Sequence, residues 1–185
     1  LEETVSDITI KKVLYGLTDV EKVDTIENAI KGVMIGNAIL ILEGEDKALK
    51  IRGDVYPGMG VQEAKNEQVI RGSQEGFSSS YKTNEMLVRK RIRSHELKIE
   101  EQFAGVRTNT GIALLYMDTI VDKGLLKEIK SRLDDFTIDG FMDSGVIEQL
   151  TNDNDLSPFP QYMTTERPDR AAQFLLNGHV VVFVD

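Results

Sequence analysis

The sequence predicts an α/β protein built as two small subdomains with mixed sheets, and three observations carry that reading. Short aliphatic runs alternate with stretches of helical spacing along the chain. Turn-forming clusters at residues 43–47 and 56–60 punctuate the alternation. A polar, Gly- and Ser-rich stretch at 71–80 divides it in two. The subdomains are therefore expected at 1–72 and 73–185, with 73–80 as the connection and a basic helix in the second. At 185 residues and 41% hydrophobic, the chain has material for two modest cores.

The elements follow in order. Residues 8–10 and 13–15 read as short strands. Residues 24–35 carry Ile26, Ala29, Ile30 and Val33 at helical spacing, with Thr25 or Asp24 to cap the helix and Gly32 or Gly36 to stop it. A buried strand at 38–42 turns into a hairpin partner at 48–52. After the connection, 81–93 reads as a helix, and 97–103 with 111–117 as a strand pair. Residues 123–133 place Leu125, Leu126, Ile129 and Leu133 on one helical face, and 143–150 forms another helix. Pro168 suits a first helical turn and Gly178 the exit, so 168–176 is a helix leading into a strand at 180–184. The helix–Gly–strand of 29–42 is echoed at 172–184, which leaves an internal duplication open.

Composition removes several function classes. A formal charge of −9, from 22 basic and 31 acidic residues, opposes nucleic-acid binding, which needs a concentrated positive surface. With no Cys there are no disulfides or thiolate metal sites. No apolar run approaches the ~20 residues that span a bilayer, and the N-terminus lacks a signal-peptide layout. The chain opens without Met and closes on a strand, and is expected to be a segment of a longer polypeptide.

Chemistry-bearing motifs are sparse. Neither His95 nor His179, the two histidines, is marked as part of a triad, which would require distant Ser and Asp partners that nothing in the sequence singles out. The acidic run 152–155 lacks the twelfth-position Glu of a calcium loop. The Gly-containing loops carry no P-loop Lys-Ser or Lys-Thr. Neither catalysis, a cofactor nor a metal is indicated. The basic run Arg89-Lys90-Arg91-Ile92-Arg93 has charge-pairing candidates in Glu75 and Glu166. Thr165, Pro168 and Asp169 are explained by capping and the helix dipole, whereas Arg167 requires another role.

These residues carry a family resemblance. Arg71-Gly72-Ser73-Gln74-Glu75-Gly76-Phe77 matches an Arg-Gly-Pro-x-Glu-Gly-Phe stretch, with Ser73 in place of Pro. Asn84 and Leu87-Val88-Arg89-Lys90-Arg91-Ile92 follow, then Thr108-Asn109-Thr110, Pro158-Phe159-Pro160 and Thr165-Glu166-Arg167-Pro168-Asp169. In these the chain resembles the GerA family, the A subunits of bacterial spore nutrient-germinant receptors. The likeness is specific from Val69 to Asp185 and looser over the first sixty residues.

The resemblance implies a non-enzymatic domain without cofactors. It implies a membrane-spanning bundle after Asp185, a place on the cytoplasmic (spore core) face of the spore inner membrane, and work with B and C subunits. Other A subunits and a small nutrient ligand are left open as partners. Arg71, Glu75, Phe77, Asn84, Arg89, Arg91, Phe159, Thr165, Glu166, Arg167 and Asp169 are expected to form an interaction surface or subdomain interface. The alternative is a binding module that holds an amino acid or sugar in a cleft between lobes, with Glu75 and Arg89 as the charge pair.

Overall fold

The computed structural model describes residues 20–53, 62–64, 66–67, 72–134, 145 and 161–185. The expected strands at 8–10 and 13–15, the loop at 56–60 and nearly all of the helix at 143–150 lie outside them. The chain divides into two compact units, Leu1–Tyr56 and Pro57–Asp185.

The first unit sets β1 (Val20–Val23), α1 (Ile26–Ile35), β2 (Ala38–Leu40) and β3 (Ala48–Ile51) into one sheet of order β1-β3-β2. The Thr25 hydroxyl accepts the Asn28 amide at 3.3 Å and starts α1. Gly36, at φ 104°, ends it in the left-handed conformation that glycine alone adopts freely. The helical spacing is correct, but the apolar residues that carry it are not the covered ones. Ile26, Ile30 and Val33 stay exposed. Gly32, a candidate stop, is instead buried within α1, where its missing side chain admits the Lys50 and Ile39 side chains. The strand expected at 38–42 ends at Leu40 and is only partly buried, because its ladder with β3 stops there.

The second unit begins with a two-stranded ribbon, β4 (Gln62–Glu63) and β5 (Glu75–Gly76). Then come α2 (Tyr81–Arg91), β6 (Leu97–Ala104), β7 (Thr110–Met117), α3 (Lys123–Asp134), α4 (Pro168–Leu176) and β8 (Val181–Val184). The main sheet has the order β6-β7-β8. Its central strand, Gly111-Ile112-Ala113-Leu114-Leu115-Tyr116-Met117, is buried at every residue. Side chains alternate across a strand, so an unbroken apolar run needs cover on both faces. On one face Ala113, Leu115 and Met117 pack with Tyr81 and Val88 of α2 and Ala171, Ala172 and Leu175 of α4. On the other, Ile112, Leu114 and Tyr116 pack with Val121 and with Leu126 and Leu133 of α3.

Helices and sheets thus alternate as expected, but every strand pairing among the described residues is antiparallel rather than mixed. Short connections require it at two of them. β2 reaches β3, and β6 reaches β7, through turns too short for the crossover that parallel pairing requires. The internal echo is local: α1 and α4 each end near a left-handed Gly and lead into an edge strand. It does not extend to connectivity, since β2 pairs with the strand that follows it and β8 with one that precedes it.

Gly111 is where the α2 face closes on the sheet. A Cβ built there would lie 2.6 Å from the Tyr81 ring. Gly111→Ala is predicted to cost about 1–3 kcal/mol through overpacking, measured by urea unfolding. Adding Tyr81→Leu should recover part of that loss. Full additivity of the two costs would contradict the contact.

Candidate functional site

Two carboxylates on the strap of chain that leads into α2, residues 57–80, collect charged and polar partners from the rest of the second unit. The strap's first anchor is Glu67. Thr165 donates its hydroxyl to Glu67 Oε2 at 2.6 Å, and the Glu166 amide donates to the same oxygen at 3.0 Å. Arg170 Nη1 donates to Oε1 at 2.5 Å. Burial pushes this carboxyl's pKa up, but the bonds from Thr165, Glu166 and Arg170 outweigh it and hold it below the ordinary value. Next to it, Glu166 accepts the Asn66 amide at 3.0 Å and a further bond from the Asn66 side chain. The Glu166 carbonyl accepts the Phe77 amide at 2.8 Å, and the Phe77 ring stands edge-on against Phe183 with centroids 4.9 Å apart.

The second anchor is Glu75. Lys90 reaches Oε1 at 2.9 Å and Arg91 Nη2 reaches Oε2 at 2.8 Å. The Lys90 bond is the main cause of a pKa held below the ordinary value, opposed by burial and assisted by Arg91. Arg91 also donates to the Ser73 hydroxyl at 3.0 Å, and the same oxygen accepts the Glu75 amide at 3.3 Å. Ser73, the departure from the family's Pro, therefore supplies a side-chain acceptor that Pro lacks.

Each expected residue now has a place. Asn84 is 6% exposed; it accepts the Ser78 amide and donates back to the Ser78 carbonyl, both at 2.8 Å, fixing the loop before α2. Arg91 takes Glu75, as one of the expected pairings had it. Arg89 does not pair with Glu75 or Glu166. It turns its guanidinium to the Ser94 carbonyl at 3.0 Å, half-buried, and burial lowers its pKa. Thr165 does not cap α4 as expected: its hydroxyl accepts the Arg167 amide at 3.2 Å, and Arg167 itself stands at the N-cap, with no side-chain cap bond. Arg167 closes on Asp169 with two bonds, 3.1 Å and 2.5 Å, which is the role that capping left unexplained. That pairing, ahead of burial, holds the Asp169 carboxyl below its ordinary value. Arg71 and Phe159 lie outside the described residues. All the described members belong to the second unit.

Glu67, Asn66, Ser78 and Arg170 were not singled out in the sequence. Asn66 and Glu67 meet partners about a hundred positions away, a distance that no local spacing rule spans. Among the described residues, no group of three His, Asp or Glu side chains is placed to hold a metal ion, and no helix is long and apolar enough to cross a membrane.

Among the described residues, a buried carboxylate on α2 departs from this pattern of satisfied charge. Glu85 of α2 is 9% exposed, and its Oε1 has no hydrogen-bond partner. Lys82, 4.0 Å from Oε2, also engages Glu101 of β6. Burial, joined by Glu101, raises the Glu85 pKa against the pull of Lys82 and Arg89.

Comparison with known proteins bears on what this arrangement serves. Residues 2–185 match the family described as Bacillus/Clostridium GerA spore germination protein. Spore germination protein KA of Bacillus subtilis is 39% identical over 83% of the chain, and the match spans 28% of that protein. The B. subtilis uncharacterized membrane protein YfkQ is 37% identical over 83% of the chain and 30% of its own length. The chain thus spans less than a third of these relatives. The crystal structure of the N-terminal domain of the A subunit of the Bacillus megaterium spore germinant receptor GerK3 is similar at TM-score 0.70 and 29% identity, covering 100% of this chain and 66% of that one.

The raised Glu85 pKa sets a sign. Below the unfolded-state value the carboxyl is protonated in both states and costs nothing. As pH rises toward the folded value, the unfolded state ionises first and stability falls. Glu85→Gln is predicted to raise the thermal midpoint at neutral pH and to leave it unchanged at a pH below the ordinary Glu value. An equal gain at both pH values would contradict the account.

Proposed function

The chain belongs to the GerA spore germination protein family, and from that premise we propose that it is the N-terminal domain of a germinant-receptor A subunit that relays and supports assembly without catalysing a reaction. In this reading a membrane-spanning part follows Asp185, the domain lies on the cytoplasmic face of the spore inner membrane, and B and C subunits are its partners.

The observation that supports the reading is the two-point pinning of the strap. Residues 57–80 carry the chain out of the first unit and into α2. Glu67 ties this segment to the start of α4, and Glu75 ties it to the end of α2. A displacement of the first unit would pull on covalent chain fastened by charge-assisted bonds. Such bonds have discrete made and broken states, which suits a two-state relay. The same groups leave little for turnover, since their carboxylates are spent on Lys90, Arg91, Thr165 and Arg170. The nutrient-cleft alternative needs Glu75 and Arg89 to meet the two charges of a zwitterion, whereas Glu75 is engaged by Lys90 and Arg91, and Arg89 by the Ser94 carbonyl.

Glu75→Ala and Arg167→Ala, each placed in the full-length A subunit, are predicted to slow nutrient-triggered germination several-fold or to lower receptor abundance. Loss of spore optical density and immunoblots of spore membranes measure the two effects. Wild-type germination at wild-type receptor levels in both variants would discard the relay.

A further inference from the structure

The loop from α2 to β6 is stiffened by its own bonds, yet two of its basic side chains stand outside. Ile92 and Leu97 seat its ends in the hydrophobic core. Between them the Ser94 carbonyl accepts Arg89 Nη1 at 3.0 Å and the Leu97 amide at 3.3 Å. The Ser94 hydroxyl accepts the Glu96 amide at 3.2 Å, and the Glu96 carboxylate accepts the Thr119 hydroxyl at 3.1 Å. Arg93 and His95 remain exposed. Arg93 uses Nε alone, on the Lys90 carbonyl at 3.2 Å. Among the described residues its two terminal nitrogens meet no acceptor, and neither does the His95 ring.

Charge at this end of α2 is one-sided. Arg89, Lys90, Arg91 and Arg93 stand against Glu75, which Lys90 and Arg91 already hold, and Glu96. In a chain of net charge −9 this is a local excess of positive charge. A guanidinium tethered by Nε turns its terminal fork outward, in the geometry that takes a carboxylate through two parallel bonds. Because the loop is already fixed, little conformational freedom is left to lose on contact. A bilayer is the poorer occupant. Anionic lipid repels a chain of this net charge, and adsorption draws on inserted apolar side chains, whereas residues 92–97 expose no large apolar one. A second copy is poorer too, since carboxylates such as Glu67, Glu75, Glu100 and Asp118 are held by the chain's own Lys and Arg.

We propose that Arg93 is a docking point for an acidic segment of a different receptor subunit, its terminal nitrogens receiving an Asp or Glu carboxylate. This rests on the reading of the chain as a receptor subunit that assembles with others, and it adds the surface and the chemistry that the other subunit must bring. The position joins this contact to the strap. Lys90 holds Arg93 through its carbonyl and Glu75 through its ammonium, so an occupant at Arg93 bears on the same end of α2 that fastens the incoming chain.

Zero-length coupling tests the proposal. Arg93→Lys keeps the charge and supplies an amine. Spore membranes carrying the full-length receptor are treated with a water-soluble carbodiimide, which joins an amine to a carboxylate in contact with it, and linked peptides are read by mass spectrometry. The internal control is the native Lys127, exposed on α3 and in no ion pair among the described residues. The expected result is a link from position 93 to an Asp or Glu of a different subunit, several-fold above any link from Lys127. That link should be lost in about 1 M salt, where the screening length falls to ~3 Å. Arg93→Glu should lower several-fold the amount of that subunit recovered with the affinity-purified receptor, and Arg93→Lys should not. Coupling no better than at Lys127, coupling only to this chain or to a second copy, or coupling indifferent to salt would overturn the proposal. So would protection of the position-93 amine by lipid alone, seen with the purified full-length subunit in phosphatidylglycerol nanodiscs, which would assign the surface to the bilayer. Failure here together with slowed germination in Glu75→Ala would remove the docking point and leave the relay standing. The expected link together with wild-type germination in Glu75→Ala and Arg167→Ala would do the reverse.

Discussion

The second unit is organised around a strand that cannot face water on either side. Residues 111–117 are buried throughout, and each fully buried large aliphatic among them is worth about 1.5–3 kcal/mol relative to exposure. That burial requires a helical layer on each face. α2 and α4 supply one through Val88, Ala171 and Leu175, and α3 supplies the other through Leu126 and Leu133. Helices on both faces leave the ends of α2 and α4 close to the strap, where the polar anchors gather. The strap's charges are therefore placed by the hydrophobic layering beneath them.

The anchors and the core share the work differently. The core fixes where α2 and α4 stand, while Glu67 and Glu75 fix where the incoming chain runs over them. Because both carboxyls are held below their ordinary values, their contribution is present above the unfolded-state value and fades as pH falls through the folded one. Glu85 works in the opposite sense. The strap is therefore more sensitive to acid than the layer it rests on.

Much of this was legible in the chain itself. Pro168 and Gly178 bracket α4 at its observed bounds, and 97–103 with 111–117 read as the strand pair that β6 and β7 form. The Glu75–Arg91 pair could be anticipated because opposite charges sat in neighbouring motif segments. What was not legible depended on distance or on which face is covered. Glu67 finds Thr165 and Arg170 across nearly the whole second unit. Arg89 and Arg91 look alike in sequence, but two positions along a helix turn the side chain by about 200°, and only Arg91 faces Glu75. In α1 the periodicity of Ile26, Ile30 and Val33 identified a helix but not its covered face, which is set by the close approach of Lys50 and Ile39 at Gly32.

The central claim is that the strap is held on the second unit as firmly as its own secondary structure. Native-state hydrogen exchange of the amides of Phe77 and Glu166, which donate to the Glu166 carbonyl and the Glu67 carboxylate, tests it directly. The account predicts slow exchange for both at neutral pH, with Glu166 losing protection first on acidification as Glu67 takes up its proton. Exchange of both amides at free-peptide rates, while β7 remains protected, would contradict it.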